Sequence, residues 1–134
     1  MGKIESRIGT LNASDEKVYR FISDFSNFTH MLPPDKVKNW QVNGDSCSFS
    51  IDGIGQLGLR IIEKEPFHLI KITSSEGTPF TFFLWIQLKN AADGETRVKI
   101  TIDPDVNPMV MMMLNSPLQK FADAMIAQLE AYSF

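Results

Sequence analysis

"NPMVMMMLNSPLQKFADAMIAQLEAY", Asn107–Tyr132, closes the chain and decides how the rest must be arranged. Asn107 can cap a helix, and Pro108 suits its first position, where the missing N–H would have had no intrahelical partner. Leu118, Phe121, Ala122, Met125 and Leu129 fall on one face, with Gln119, Lys120, Asp123 and Glu130 on the other. A run of about 24 residues spans about 36 Å, enough to cross a whole domain. Pro117 interrupts the run: its ring clashes with the Met113 carbonyl and deletes one hydrogen bond. The helix therefore either kinks there or stops and restarts with Ser116 as a new cap. Counting back from Leu118 keeps Leu114 and Met111 on the inner face and leaves Met109, Met112 and Met113 outside it. A kink or restart would turn those three inward. Four methionines within five positions read either as ordinary core, foremost for Met111, or as a deformable wall, since methionine adapts to varied apolar shapes.

The segment before this helix supplies what it must cover. From Val37 to Asp103 the apolar pattern has period two, and it is punctuated by "NGD" (Asn43–Asp45), "DGIG" (Asp52–Gly55), "EP" (Glu65–Pro66), "EGTP" (Glu76–Pro79) and "ADGE" (Ala92–Glu95). Short turns without intervening helices predict a six-stranded antiparallel meander. Alternation places Trp40 and Val42 on one face, followed by Cys47, Phe49 and Ile51, then Leu57, Leu59 and Ile61. His68, Ile70 and Ile72 continue that face, as do Phe82, Leu84, Ile86 and Leu88, then Val98, Ile100 and Ile102. Arg60, Lys64, Lys71, Gln87, Lys89, Arg97 and Lys99 fall opposite, so one face is buried and the other wet. Phe83 and Trp85 fall on the wet side, which predicts an exposed patch or a bulge.

At the start of the chain, Ile4, Ser6, Ile8 and Thr10 alternate with Glu5 and Arg7, predicting a strand from Lys3 to Leu11. In "NASDEKVYRFISDF" Ser14 caps a helix, Asp15 and Glu16 suit its positive end, and Val18, Phe21, Ile22 and Phe25 form its apolar stripe. "SNFTHMLPP" reads as a second short helical piece stopped by Pro33 and Pro34.

With 134 residues the chain is read as a single domain, residues 1–134. It is long enough to bury a core without disulfides or metals. The net charge of −3 comes from intermixed acids and bases with no Lys/Arg block, so a nucleic-acid partner is not expected. The single cysteine, Cys47, rules out an internal disulfide and reads as a small buried filler. No leader-like segment and no long apolar run occurs, so a cytoplasmic protein without stable membrane insertion is the expectation. "MGKIES" fits a loose acylation pattern, but a first strand explains the same residues.

The order is strand, two short helices, six antiparallel strands and a long closing helix. It resembles the helix-grip fold of the START-like, or SRPBCC, superfamily, and more closely the small bacterial proteins labelled polyketide cyclase/dehydrase-like. "NASDEKVYRFISDFSNFTHMLPP" and "NPMVMMMLNSPLQKFADAMIAQLEAY" carry the resemblance. The first is similar to that family's cap, "V…F…D" helix and following proline, and the second to its closing helix. The resemblance covers essentially the whole chain but holds no motif diagnostic of an activity. It implies an α+β fold, a curved seven-stranded antiparallel sheet wrapped around the C-terminal helix, with a cavity between them. Gly55 and Gly58 would let one strand bend sharply.

The implied partner is an apolar small molecule or lipid. The inward positions nominate Phe21, His30, Trp40, Phe49, Leu59, His68, Ile70, Phe82, Leu84, Ile100, Met109, Met112, Met113, Phe121 and Met125 as its contacts. No catalytic residue, metal ligand or cofactor is expected: no His/Cys cluster has metal-ligand spacing, and no phosphate loop, nucleophile elbow or His-Glu-x-x-His occurs. The carboxylate pairs Glu63/Glu65 and Asp103/Asp105 read as solvated charge at strand ends. His68 and His30 are the candidate polar groups at the cavity, either as rim histidines satisfied by local hydrogen bonds or as groups that orient a ligand or move a proton. Three functions compete: an apolar-ligand carrier, a cyclase or aromatase, and an interaction module. The Phe83/Trp85 patch could serve a partner or a homodimer.

Overall fold

The computed structural model describes residues 3–32, 34–75 and 77–134. Met1 and Gly2, which carry the acylation pattern, lie outside these, as do Pro33 of the first helical stop and Glu76 of the "EGTP" turn.

Two short strands open the chain, β1 (Ile4–Glu5) and β2 (Gly9–Leu11). Helix α1 (Asp15–Ile22) follows, capped by the Ser14 side chain, which accepts the Lys17 N–H at 3.2 Å. A 3-10 helix, Phe25–His30, comes next, with Asp24 as its cap. The meander is β3 (Val37–Asn43), β4 (Ser46–Ile51), β5 (Gly55–Glu65), β6 (Leu69–Ser74), β7 (Thr81–Ala92) and β8 (Glu95–Asp105). Helix α2 (Pro108–Ala131) closes the chain, and the Asn107 side chain accepts the Val110 N–H at 2.9 Å. The sheet runs β1-β8-β7-β6-β5-β4-β3, with β2 also on β8, and every pairing is antiparallel.

The first strand departs from expectation. Glu5 pairs with Thr101 and Gly9 with Val98, so three residues on one strand face two on the other. That extra residue is a bulge, and it reverses the side-chain alternation beyond it. Ile4 and Leu11 are buried while Ile8 is 61% exposed. Ser6 repairs the ladder: its N–H donates to the Ile100 carbonyl and its hydroxyl oxygen accepts the Ile100 N–H.

Across the meander the inward set is as alternation predicts, with three corrections. Between Lys38 and Gln41 an extra residue bulges β3, with Asn39 at φ 58°; Trp40 is half-buried, and Val42, although paired with the buried Cys47, is exposed on this edge strand. His68 is exposed because it belongs to the β5–β6 turn, where Phe67 adopts φ 67° and the strand begins only at Leu69. A bulge at Ile62, between Ile61 and Glu63, reverses the alternation beyond it, so Lys64 falls opposite Ile70 and not on the outer face with Arg60. Phe83 and Trp85 keep strict alternation and lie half-buried on the outer face. Lys71 Nζ sits 4.6 Å from the Phe83 ring and 5.4 Å from the Trp85 ring, and Lys3 Nζ 5.6 Å from the latter. These cation–π contacts half-cover the rings.

Gly58 matters as a junction more than as a bend. Where β6 turns away from β5, the Thr78 hydroxyl accepts the Gly58 N–H at 2.8 Å and donates to the Gly58 carbonyl at 3.3 Å. The loop thereby completes the ladder that the strand abandons.

Helix α2 runs through Pro117 without stopping or restarting. It packs against β1, β2 and β8. Leu118, Phe121, Ala122, Met125, Ile126 and Leu129 are buried, whereas the turns before Leu118 carry no fully buried side chain. The helix start lies beside the ends of β7 and β8 with only its inner face, Met111 and Leu114, half-buried. Gln119 donates to the Glu5 carbonyl, Asp123 accepts the Arg7 N–H, and Glu130 accepts from the Arg7 guanidinium at 2.6 Å and the Thr10 N–H at 3.2 Å. One polar edge of the helix thus clasps the bulged edge strand.

Candidate ligand-binding site

Between the concave face of the sheet and α2 lies a cavity lined by Phe28 and Leu32 from the 3-10 helix and the residues after it, Phe49 from β4, and Leu57 and Leu59 from β5. Phe80, Phe82 and Leu84, Ile102 of β8, and Leu118, Phe121 and Met125 of α2 complete the wall. Every one of these side chains is hydrocarbon or thioether. The wall nearly closes on itself: about 10 Å³ remains open to the centre of a water molecule, room for one water at most. Aromatic stacking fills the space, with Phe49 and Phe121 at 6.3 Å, Phe80 and Phe82 at 5.6 Å, and Trp40 behind Phe49 at 5.6 Å.

Phe49, Leu59, Phe82, Leu84, Phe121 and Met125 are brought together in this wall. The other nominated residues lie elsewhere. Ile70 and Ile100 are fully buried but form core away from the cavity. Trp40 backs Phe49 from the sheet edge. Phe21 joins Tyr132, at 4.4 Å, and Phe134, at 5.2 Å, in an aromatic cluster at the end of α2. His30 is exposed and leans on that cluster, its ring 5.5 Å from Tyr132. His68 is exposed in its turn. Met109, Met112 and Met113 are 74%, 81% and 73% exposed, because an unbroken helix leaves them on the face opposite Leu118 instead of turning them inward.

Alternation alone could have found Leu57 and Ile102, and the helix stripe Leu118. Phe28 and Leu32, four apart after the Asp24 cap, carried a weaker helical signal. Phe80 sits in a loop, where no periodicity applies.

Three surface grooves abut the cavity wall. One of 250 Å³ runs between Ile51 and Pro117, flanked by Lys36, Asp52 and Lys120, and shares Phe121 with the cavity. Another of 580 Å³, beside Asp103, Asp105 and Met111, shares Phe82. The third, 650 Å³, holds Arg60, Ser75 and Thr78 and shares Phe80.

The carboxylates with shifted pKa values lie at the surface. Glu63 beside Glu65 raises the Glu65 pKa from its ordinary value. Lys99, at 2.8 Å, lowers that of Glu5, and Arg7 lowers that of Glu130. Cys47, on the buried face of β4, has its thiol pushed up to about 12 by desolvation. Among the described residues no cluster of three His, Cys, Asp or Glu could hold a metal, and no buried side-chain polar atom lacks a partner. No helix among them is long and apolar enough to cross a membrane.

A curved antiparallel sheet gripping a long C-terminal helix over an apolar cavity is the START-like helix-grip fold, and solved structures share it along the whole chain. Protein XoxI from Bacillus cereus matches with TM-score 0.78 at 12% identity, over 98% of this chain and 94% of that one. A START superfamily protein from Mycobacterium smegmatis matches with TM-score 0.72 at 14% identity, over 98% and 99%. The di-domain ARO/CYC BexL from the BE-7585A biosynthetic pathway matches with TM-score 0.74 at 13% identity, over 98% of this chain and 46% of that one. No protein-family model matches the sequence, and no curated protein is significantly similar to it.

Proposed function

We propose that this protein holds a hydrocarbon-rich small molecule or lipid chain between the concave face of the sheet and α2. The observation that carries this reading is the uniform chemistry of the wall: twelve side chains, all Phe, Leu, Ile or Met, converge from sheet, 3-10 helix and α2. Such a site selects ligands by shape and apolar area, and any polar group must stay at the rim. The ligand enters by displacing side chains, since the closed cavity has no room for it. Phe121, Phe82 and Phe80 are the residues that separate cavity from groove, and Met125 is the wall residue most able to change shape.

A cyclase or aromatase reading, which the likeness to the ARO/CYC fold keeps open, needs a group that moves protons at the ligand. His30 and His68 both lie outside the cavity, so the carrier reading ranks first. The interaction reading would use Phe83 and Trp85, whose rings lie half-covered by Lys71 and Lys3.

Native mass spectrometry of freshly purified protein, followed by extraction, tests the proposal. The expected result is a stoichiometric apolar adduct or, for protein stripped of it, saturable binding of N-phenyl-1-naphthylamine. His30→Gln and His68→Gln should leave that binding unchanged. A protein that carries no adduct and binds no apolar probe would sink the carrier reading. Loss of turnover of a polyketide-like substrate in His68→Gln, with affinity intact, would instead favour the enzyme.

A further inference from the structure

We infer that the outer face of the start of α2 is a docking face for a lipid surface. Met109, Met112 and Met113 stand at i, i+3 and i+4, so they form one contiguous stripe, and each is at least 73% exposed. No charged residue occurs from Pro108 to Gln119. A solvated helix face ordinarily carries charge, and nothing in the fold requires these thioethers, because they lie on the helix face opposite the buried Leu118.

The occupant follows from size and chemistry. Three side chains offer roughly a few hundred Å², well short of the ~800 Å² per partner of a stable protein interface. Between Pro108 and Leu118 only Asn115 and Ser116 are polar, too few for the hydrogen bonds such an interface carries. Shallow insertion into a bilayer needs neither, only flexible apolar side chains on a helix lying at the interface. The same helix face continues through Ser116 to Lys120, and Lys36 lies across the groove from it. Neither lysine forms an ion pair among the described residues. Their stems can follow the apolar boundary while the ammonium groups meet lipid phosphates. Asp52 shares that groove, and Asp103 and Asp105 flank the other side of the helix start. The local charge is therefore mixed, and insertion rests on the methionines more than on attraction to anionic lipid.

Docked this way, the groove that shares Phe121 with the cavity opens beside the bilayer. A hydrocarbon ligand could then pass between lipid and cavity past one side chain, a consequence that rests on the carrier reading. The docking itself does not.

Flotation of the full chain with vesicles of phosphatidylcholine, alone and mixed with phosphatidylglycerol, tests the inference. The chain should float with both. The triple variant Met109→Ser, Met112→Ser, Met113→Ser, altered only at exposed positions, should lose at least about fivefold in partitioning. Met112→Trp should gain, because tryptophan favours the interfacial region. Lys36→Gln with Lys120→Gln should weaken only the mixed-vesicle binding. Absence of flotation with either vesicle, or equal flotation of the triple variant, would overturn the inference. So would a dimer that the triple variant dissolves, which would assign the stripe to a second copy of the chain. Floating protein that binds no apolar probe would remove the carrier reading and leave the docking face standing; probe binding without flotation would do the reverse.

Discussion

Any side chain at Gly9 would place its first carbon 2.6 Å from Cγ2 of Ile126, and 3.2 Å from Cγ1 of Val98. The absence of a Cβ at this one position is what lets α2 lie against the bulged edge strand. Gly9→Ala should therefore force strand and helix apart, at a cost of about 1–3 kcal/mol. Urea denaturation should show a lower midpoint with an unchanged slope. An unchanged midpoint would mean that the edge strand yields freely.

The clasp beside that contact has an electrostatic part. Arg7, hydrogen-bonded to Glu130, holds the Glu130 carboxyl below its ordinary pKa, and the Thr10 N–H adds to the shift. A carboxylate depressed in the folded state contributes its stability above the unfolded pKa and loses it as pH falls through the folded one. Glu130→Gln should thus destabilise at pH 7 by about 1 kcal/mol or less, the range for an exposed pair. The difference from wild type should vanish in acid. Thermal unfolding followed from neutral to acidic pH reads this directly, and a gap that persists in acid would assign Glu130 a packing role.

Phe121 stands between the closed cavity and the groove beside Pro117. Phe121→Ala should open a cavity and cost about 3–5 kcal/mol. The same variant should bind N-phenyl-1-naphthylamine more tightly than wild type and recover thermal stability with the probe present. Equal affinity in the two proteins would show that Phe121 does not occlude the site.

Cys47 reports on the opening of the core. Its thiol is buried and its pKa is pushed up to about 12, so almost no thiolate exists at pH 8. Reaction with a disulfide reagent should proceed only as fast as the sheet opens, and should become immediate in denaturant. Prompt labelling of native protein would place Cys47 at an accessible edge.

The meander and its buried face were legible because a sheet wet on one side demands alternation along the stretches between its bulges, as from Phe82 to Leu88 and from Val98 to Ile102. The helix starts were equally legible, since the Ser14 and Asn107 side chains accept backbone N–H groups three residues on; the end of α1 was not, because Phe25, on the same apolar stripe, begins the separate 3-10 helix. Phe83 and Trp85 seemed to break the pattern but obey it: Lys71 and Lys3, distant in sequence, reach across their rings.

What only the tertiary structure decided depends on distant partners. The extra residues between Glu5 and Gly9, between Lys38 and Gln41, and between Ile61 and Glu63 are defined by the neighbouring strand's register. Each reverses side-chain direction without any mark in the local sequence. That is why Ile8 faces water and why Lys64 falls opposite Ile70. His68 fell on the wrong side because its strand starts one residue later, after the left-handed Phe67. The methionines turned on whether Pro117 breaks α2. Packing from Leu118 onward holds the helix whole, so one lost hydrogen bond was not enough to swing Met109, Met112 and Met113 inward. The apolar kind of site was thus written in the alternation of the strands. Its closure, and the face left uncovered beside it, were set by how side-chain volumes and strand registers met in three dimensions.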